Sequence, residues 1–185
     1  MIQQNVSRID RWRYREVAKH CLGEVLDVGC GRQGLRDALG DANPYVGCDA
    51  EGGNVRGSAL ALPFRECSFD TVVLCEILEH LEAPGHALRE AARIARRRII
   101  VTVPNDHSLV RLARLLLGRD VEIDPEHIGA YNAFNLRTML ARSDFVSHTE
   151  FAYPLRLQML PEIPLRSRFG YWLFCIADRR QEPLT

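Results

Sequence analysis

The chain predicts an α/β fold: three layers, with a mostly parallel seven-stranded sheet between helices and an antiparallel strand at the C-terminal end. Three observations carry this. Short apolar runs recur at 24–28, 44–48, 69–75 and 98–103 and stop at Gly29, Asp49, Glu76 and Pro104. Amphipathic, helix-like segments separate most of them. Two further strand-like runs, 145–151 and 171–177, follow one another with no helix between, which calls for an antiparallel hairpin joined by the loop 152–169.

Taken in order, residues 8–21 set Ile9, Trp12, Val17 and Cys21 on one face of a helix. EVLDV (24–28) is a buried strand, and 35–39 opens a helix. PYVGC (44–48) is a strand that stops at Asp49. A Gly-rich bend at 50–54 leads to a weak third strand near 55–57, with too few residues for a full crossover helix. FDTVVLC (69–75) is the next strand. Pro84 opens a helix over 84–95, as its fixed φ favours at a first turn. RIIVTV (98–103) is a strand ended by Pro104, and helices are expected at 108–117 and 135–141. Arg96, Arg97 and Arg98 read as a solvated turn.

The 185 residues suit a single domain, 1–185: a helix at 8–21, a cofactor-binding half at 22–105 and an acceptor-binding half at 106–185. Hydrophobic residues make up 46% and charged residues 26%, enough for a sizeable core. Formal net charge is zero, which argues against a nucleic-acid partner. Lys19 is the only lysine. No two of the six cysteines are spaced Cys-x-x-Cys, so neither a zinc knuckle nor a redox pair is indicated. No signal peptide or membrane span is read, and a cytoplasmic location is expected.

In such sheets ligands sit beyond the C-terminal ends of the strands. The first such point reads Asp27-Val28-Gly29-Cys30-Gly31-Arg32-Gln33-Gly34. Its glycines permit a tight turn and a close ligand, and the helix that follows offers unpaired N–H groups. Asp49 stands at the tip of the second strand, where a carboxylate suits the vicinal hydroxyls of a ribose. Together these indicate an adenosyl or adenine-nucleotide ligand.

Two further segments, GSALALPF (57–64) and FDTVVLCEILEHLEAP (69–84), complete a set that resembles the class I S-adenosylmethionine-dependent methyltransferases, in their small-molecule, type 11-like branch. The resemblance covers about residues 20–105. It implies a Rossmann-like sandwich, S-adenosyl-L-methionine as cofactor and in-line methyl transfer to a small-molecule acceptor. By the resemblance Asp27 lies near the methionine amino group, and Gly29 and Gly31 let the backbone meet the carboxypropyl chain. Asp49 holds the ribose with Ala50 beside the adenine. Ser58 and Ala59 contact the adenine edge, and Cys75 and Glu76 close the floor beneath the sulfonium. Two positions depart from the family pattern: Gln33 stands where Gly is frequent, and Ser58 replaces an Asp.

Asp27 also argues against a nicotinamide enzyme, because its charge suits a cationic amine better than a pyrophosphate. Glu76, Glu79, His80, His107, His127 and Tyr131 are candidates for a base. His80 and His127 are taken as the catalytic pair. On a helix, Glu76, Glu79 and His80 would share a face. Asp124, Glu126 and His127 form a second cluster. Neither has the spacing of a zinc site, and no metal is expected. Residues 109–116 are expected to form a core-facing or lid helix. A surface for an apolar or lipid-linked acceptor is the sharper reading, and the apolar loop residues Leu155, Leu157, Met159, Leu160, Ile163 and Leu165 keep it open. The alternatives of another class are a catalytically silent cofactor-binding module and a nicotinamide-dependent oxidoreductase.

Overall fold

The structure, a computed structural model, describes residues 8–122, 124–153 and 168–180. Helix α1 (Arg8–Ala18) is followed by β1 (Val25–Val28), α2 (Gly34–Leu39), β2 (Tyr45–Asp49), β3 (Val55–Arg56) and β4 (Phe69–Cys75). A 3₁₀ turn (Leu78–His80), α3 (Pro84–Ile94), β5 (Ala95–Pro104), α4 (Leu109–Leu116), α5 (Ala133–Ala141), β6 (Phe145–Tyr153) and β7 (Trp172–Arg179) follow among the described residues. The strands form one sheet in the order β3-β2-β1-β4-β5-β7-β6. β1 to β5 pair in parallel, and β7 is antiparallel to both β5 and β6. The fold class read from the sequence is therefore borne out.

Side chains alternate along each inner strand, as the pleat requires. Leu26, Leu74 and Val101 join one core with Leu88, Ala91, Leu136 and Leu140 of α3 and α5. Val25, Val73 and Ile100 face the other way, toward Val17, Leu35 and Leu39 of α1 and α2. Each such Leu or Val adds about 1.5–3 kcal/mol by leaving water. The strand order reverses between β1 and β4, and that reversal opens a crevice at their C-terminal ends. No helix forms between β3 and β4, where Ser58 bridges Ala61 instead.

Two expectations are corrected. The arginine triplet lies inside β5 rather than in a solvated turn. Arg96 meets Asp70 at 2.7 Å, and Arg98 meets Asp178 at 2.7 and 3.0 Å and donates to the His20 carbonyl. These partners neutralise the cations and let the strand start at Ala95. Helix α4 also turns its expected faces around. Arg111 is buried because it pairs with Asp106 and Glu122, while Leu112, Leu115 and Leu116 are exposed. Helix α5 starts at Ala133 because Asn132 and Asn135 form a reciprocal capping box. The apolar residues Leu155 to Leu165 of the expected long loop lie outside the described residues. Among the described residues no helix is long and apolar enough to cross a membrane.

Helix α1 is seated on the start of α2 through a glycine. A Cβ at Gly34 would come 2.4 Å from the Tyr14 ring. Gly34→Ala is expected to destabilise the protein by about 1–3 kcal/mol, read as a lower urea midpoint with an unchanged slope.

Candidate functional site

The turn after β1 is built from backbone bonds to β2. Gly29 and Cys30 donate N–H bonds to the Cys48 carbonyl at 2.8 and 3.3 Å, and Gly31 donates to Asp49 Oδ2 at 2.9 Å. Gly29 and Gly31 take positive φ values of 70° and 44°, and a Cβ at Gly31 would meet only open space. That combination is a backbone surface that a ligand can approach closely. Asp49 Oδ1 accepts from the Glu51 N–H at 3.0 Å. Each carboxylate oxygen thus keeps lone-pair capacity for a hydroxyl. Gln33 also lies in the left-handed region, at φ 58°. This explains why glycine suits the position, and Gln33 holds the conformation without side-chain capping of α2.

Beneath the turn, Asp27 is 2% exposed and accepts a 2.8 Å hydrogen bond from the Tyr45 hydroxyl. Burial pushes its carboxyl up to about 7, against the opposing pull of Tyr45 and Arg13. On the far side of the crevice, Cys75 is buried and Glu76 takes φ 51°. Glu76 Oε1 accepts from Thr102 Oγ1 at 3.1 Å, and Oε2 meets Arg13 Nη1 at 3.2 Å. Burial raises its carboxyl also, while Arg13 holds it down. Ala50 is exposed at the tip of β2. Ser58 is exposed and its hydroxyl accepts from the Leu60 N–H, whereas Ala59 is buried in the core.

Arg13 was not among the sequence candidates, since no motif marks it. It is only 6% exposed, stacks 5.0 Å from the Trp172 ring and 5.1 Å from the Tyr14 ring, and pairs with Glu76 and Asp10. Its Nε has no hydrogen-bond partner. Helix α1 therefore brings a buried cation to the same crevice as Asp27 and Glu76.

The base candidates separate. Tyr131 is buried, and its hydroxyl donates to the Leu78 carbonyl at 3.0 Å. Burial and nearby Glu79 push it up to about 12, so it holds structure. His107 is exposed. Glu76, Glu79 and His80 do not share a helical face, because the positive φ of Glu76 precedes a short 3₁₀ turn. Glu79 is fully buried, with no hydrogen-bond partner at either carboxylate oxygen. Burial and Glu76 push it up to about 8. His80 is exposed, and its ring lies 4.7 Å from that of His127. His127 Nδ1 faces Glu122 Oε1 at 3.1 Å, a partner the sequence spacing did not single out. Of the second cluster, Asp124 Oδ1 accepts from the Glu126 N–H at 3.0 Å, and its Oδ2 lies 3.8 Å from His127 Nε2.

Two predictions follow from the strained and buried positions. Gln33→Gly relieves a left-handed residue and is expected to stabilise the protein by about 1 kcal/mol, measured by urea unfolding. The raised Asp27 pKa means that the native state holds this proton more tightly than the unfolded chain. Its contribution to stability is lost as pH rises from about 4 to about 7. Asp27→Asn is therefore expected to raise the melting temperature of the ligand-free protein by a few degrees at pH 8, with a smaller gain at pH 5.

A family described as a methyltransferase domain matches residues 26–101. A protein of Mycolicibacterium smegmatis named as a probable S-adenosylmethionine-dependent methyltransferase is 28% identical over 149 residues, which is 71% of this chain and 56% of that protein. The chain spans about half the length of the curated relatives it matches. A SAM-dependent methyltransferase from Thermotoga maritima superposes with a TM-score of 0.70 at 18% identity, covering 92% of this chain and 89% of that one. Magnesium protoporphyrin IX methyltransferase from Synechocystis, solved with bound SAH, gives 0.68 at 18% identity over 96% and 90%. At these identities the two solved structures speak for the fold, and the family match and the relatives speak for the lineage. Together with the glycine turn, the acid at the tip of β2 and the strand order already described, the match over residues 26–101 and these relatives support a class I S-adenosylmethionine-dependent methyltransferase.

Proposed function

We propose that the chain binds S-adenosyl-L-methionine in the crevice between β1 and β4 and transfers its methyl group to a small-molecule acceptor. The observation that carries this reading is the convergence of Asp27, the glycine turn and Asp49 at neighbouring strand tips. The residues fit the cofactor. Asp49 offers two oxygens to the ribose hydroxyls, and the open backbone at Gly31 admits the amino-acid tail. Asp27 sits where a cationic amine would restore its charge, and Arg13 supplies a cation for the carboxylate of that tail. Ala50, Ser58 and Ala59 border the adenine side. Cys75 and Glu76 form the opposite wall.

S-adenosyl-L-methionine supplies a methyl group on a sulfonium leaving group, so the protein can act mainly by orientation. His80 and His127 stand on the acceptor side, and either imidazole can take a proton from a weakly acidic acceptor. Exposed Ile128 follows His127 directly, which favours an acceptor with an apolar portion. A second reading, a cofactor-binding module that works through a partner, draws on the exposed Leu112, Leu115, Leu116 and Leu117 at α4.

Calorimetric titration separates these readings from a nicotinamide enzyme. S-adenosylhomocysteine is expected to bind and NADH to give no heat. Asp49→Ala and Arg13→Ala are each expected to weaken the thioether at least tenfold, about 1.4 kcal/mol. NADH binding without thioether binding would overturn the assignment. A methyl-release assay over acceptor pools, with Asp49→Ala as control, separates the enzyme from the silent module.

A further inference from the structure

We propose that Glu79, His80 and His127 form a site for a divalent first-row transition cation of the zinc type, on the acceptor side of the cofactor crevice. One donor atom from each residue lies within 4.8 Å of the other two. Two imidazoles and one carboxylate are a donor set that suits zinc, cobalt or iron and leaves a position open. This goes beyond the methyltransferase reading and does not depend on it, and it excludes the base role of His80 and His127 while the ion is bound, because a metal-bound ring nitrogen has no lone pair left for a proton.

Glu79 is the independent observation. It is fully buried, and neither carboxylate oxygen has a hydrogen-bond partner. A buried, unpartnered carboxylate is costly unless something cationic meets it. The surrounding shell is also in place. His127 Nδ1 faces Glu122 Oε1, and Glu122 is in turn paired with Arg111. A carboxylate on one ring nitrogen is the arrangement that orients a metal-binding imidazole and frees Nε2 for the ion. The segment that carries His127 is pinned to the 3₁₀ turn, because Ile128 and Gly129 donate N–H bonds to the Glu79 carbonyl at 2.8 and 3.0 Å. His80 is exposed and gives the ion an entry path. Asp124 Oδ2 stands 3.8 Å from His127 Nε2, close enough to share the open position with water.

Zinc bonds of about 2.1 Å set tetrahedral donors about 3.4 Å apart, so donors within 4.8 Å of one another must close by up to about 1.4 Å. Exposed His80 can supply most of that by a change of rotamer. The sequence spacing carries no zinc signature because the ligands come from two segments far apart in the chain.

The test uses the full chain stripped of metal and titrated with Co²⁺, followed by visible d–d absorption and by calorimetry. One equivalent is expected to bind, without a near-ultraviolet thiolate charge-transfer band, and Zn²⁺ is expected to displace it. Glu79→Gln and His127→Ala should each weaken Co²⁺ at least tenfold, and Cys67→Ser, at the exposed thiol, should leave it unchanged. Circular dichroism checks that the variants fold. His80→Ala, at an exposed position, replaces either one that does not, with the same expected loss. No saturable binding, a thiolate band, or unchanged affinity in the ligand variants would overturn the site.

Discussion

Gly29 and Cys30 donate to the Cys48 carbonyl, and Gly31 donates to the Asp49 carboxylate. These bonds tie the turn after β1 to the tip of β2. The arrangement has a physical requirement: a helix must start directly after a strand, and its first turn must leave N–H groups facing outward. Glycines at positive φ make that turn, and Asp49 fixes it from the neighbouring strand. The same carboxylate keeps lone-pair capacity for a ligand, so one side chain is both a brace for the turn and a contact at the crevice.

The crevice concentrates acids around the buried guanidinium of Arg13. Asp27, Glu76 and Glu79 are all held above the ordinary carboxylate range, with burial as the leading cause of each shift. Arg13 pulls all three down, and helix α1 carries it. The helix reaches the crevice because Gly34 lets Tyr14 sit against the start of α2. Electrostatic balance at the switch in strand order therefore depends on a segment that lies outside the strand–helix alternation. Perturbed acids gathered in a cleft are the pattern expected of a working site.

The fold was legible wherever local chemistry marks an element. EVLDV running into glycine, FDTVVLC and the Pro84 helix start each follow from apolar run length and turn residues, and the structure keeps them within a few residues. The Asp27, glycine and Asp49 positions were legible because each is set by strand termini. What was not legible depends on partners remote in sequence. Arg96 and Arg98 enter β5 because Asp70 and Asp178 lie beside them. Arg111 turns inward because Asp106 and Glu122 receive it, which leaves the leucines of α4 outward. Arg13 and Glu122 carry no motif, and only the folded chain brings them to the crevice and to His127. The helical face expected for Glu76, Glu79 and His80 failed on a positive φ that periodicity does not register.

A crystal structure of the full chain with S-adenosylhomocysteine tests the central claim most directly. The account predicts the ribose hydroxyls within hydrogen-bond distance of Asp49 and the amino group of the ligand against Asp27. A ligand bound elsewhere, or Asp49 still bonded only to Gly31 and Glu51 with no sugar beside it, would contradict it.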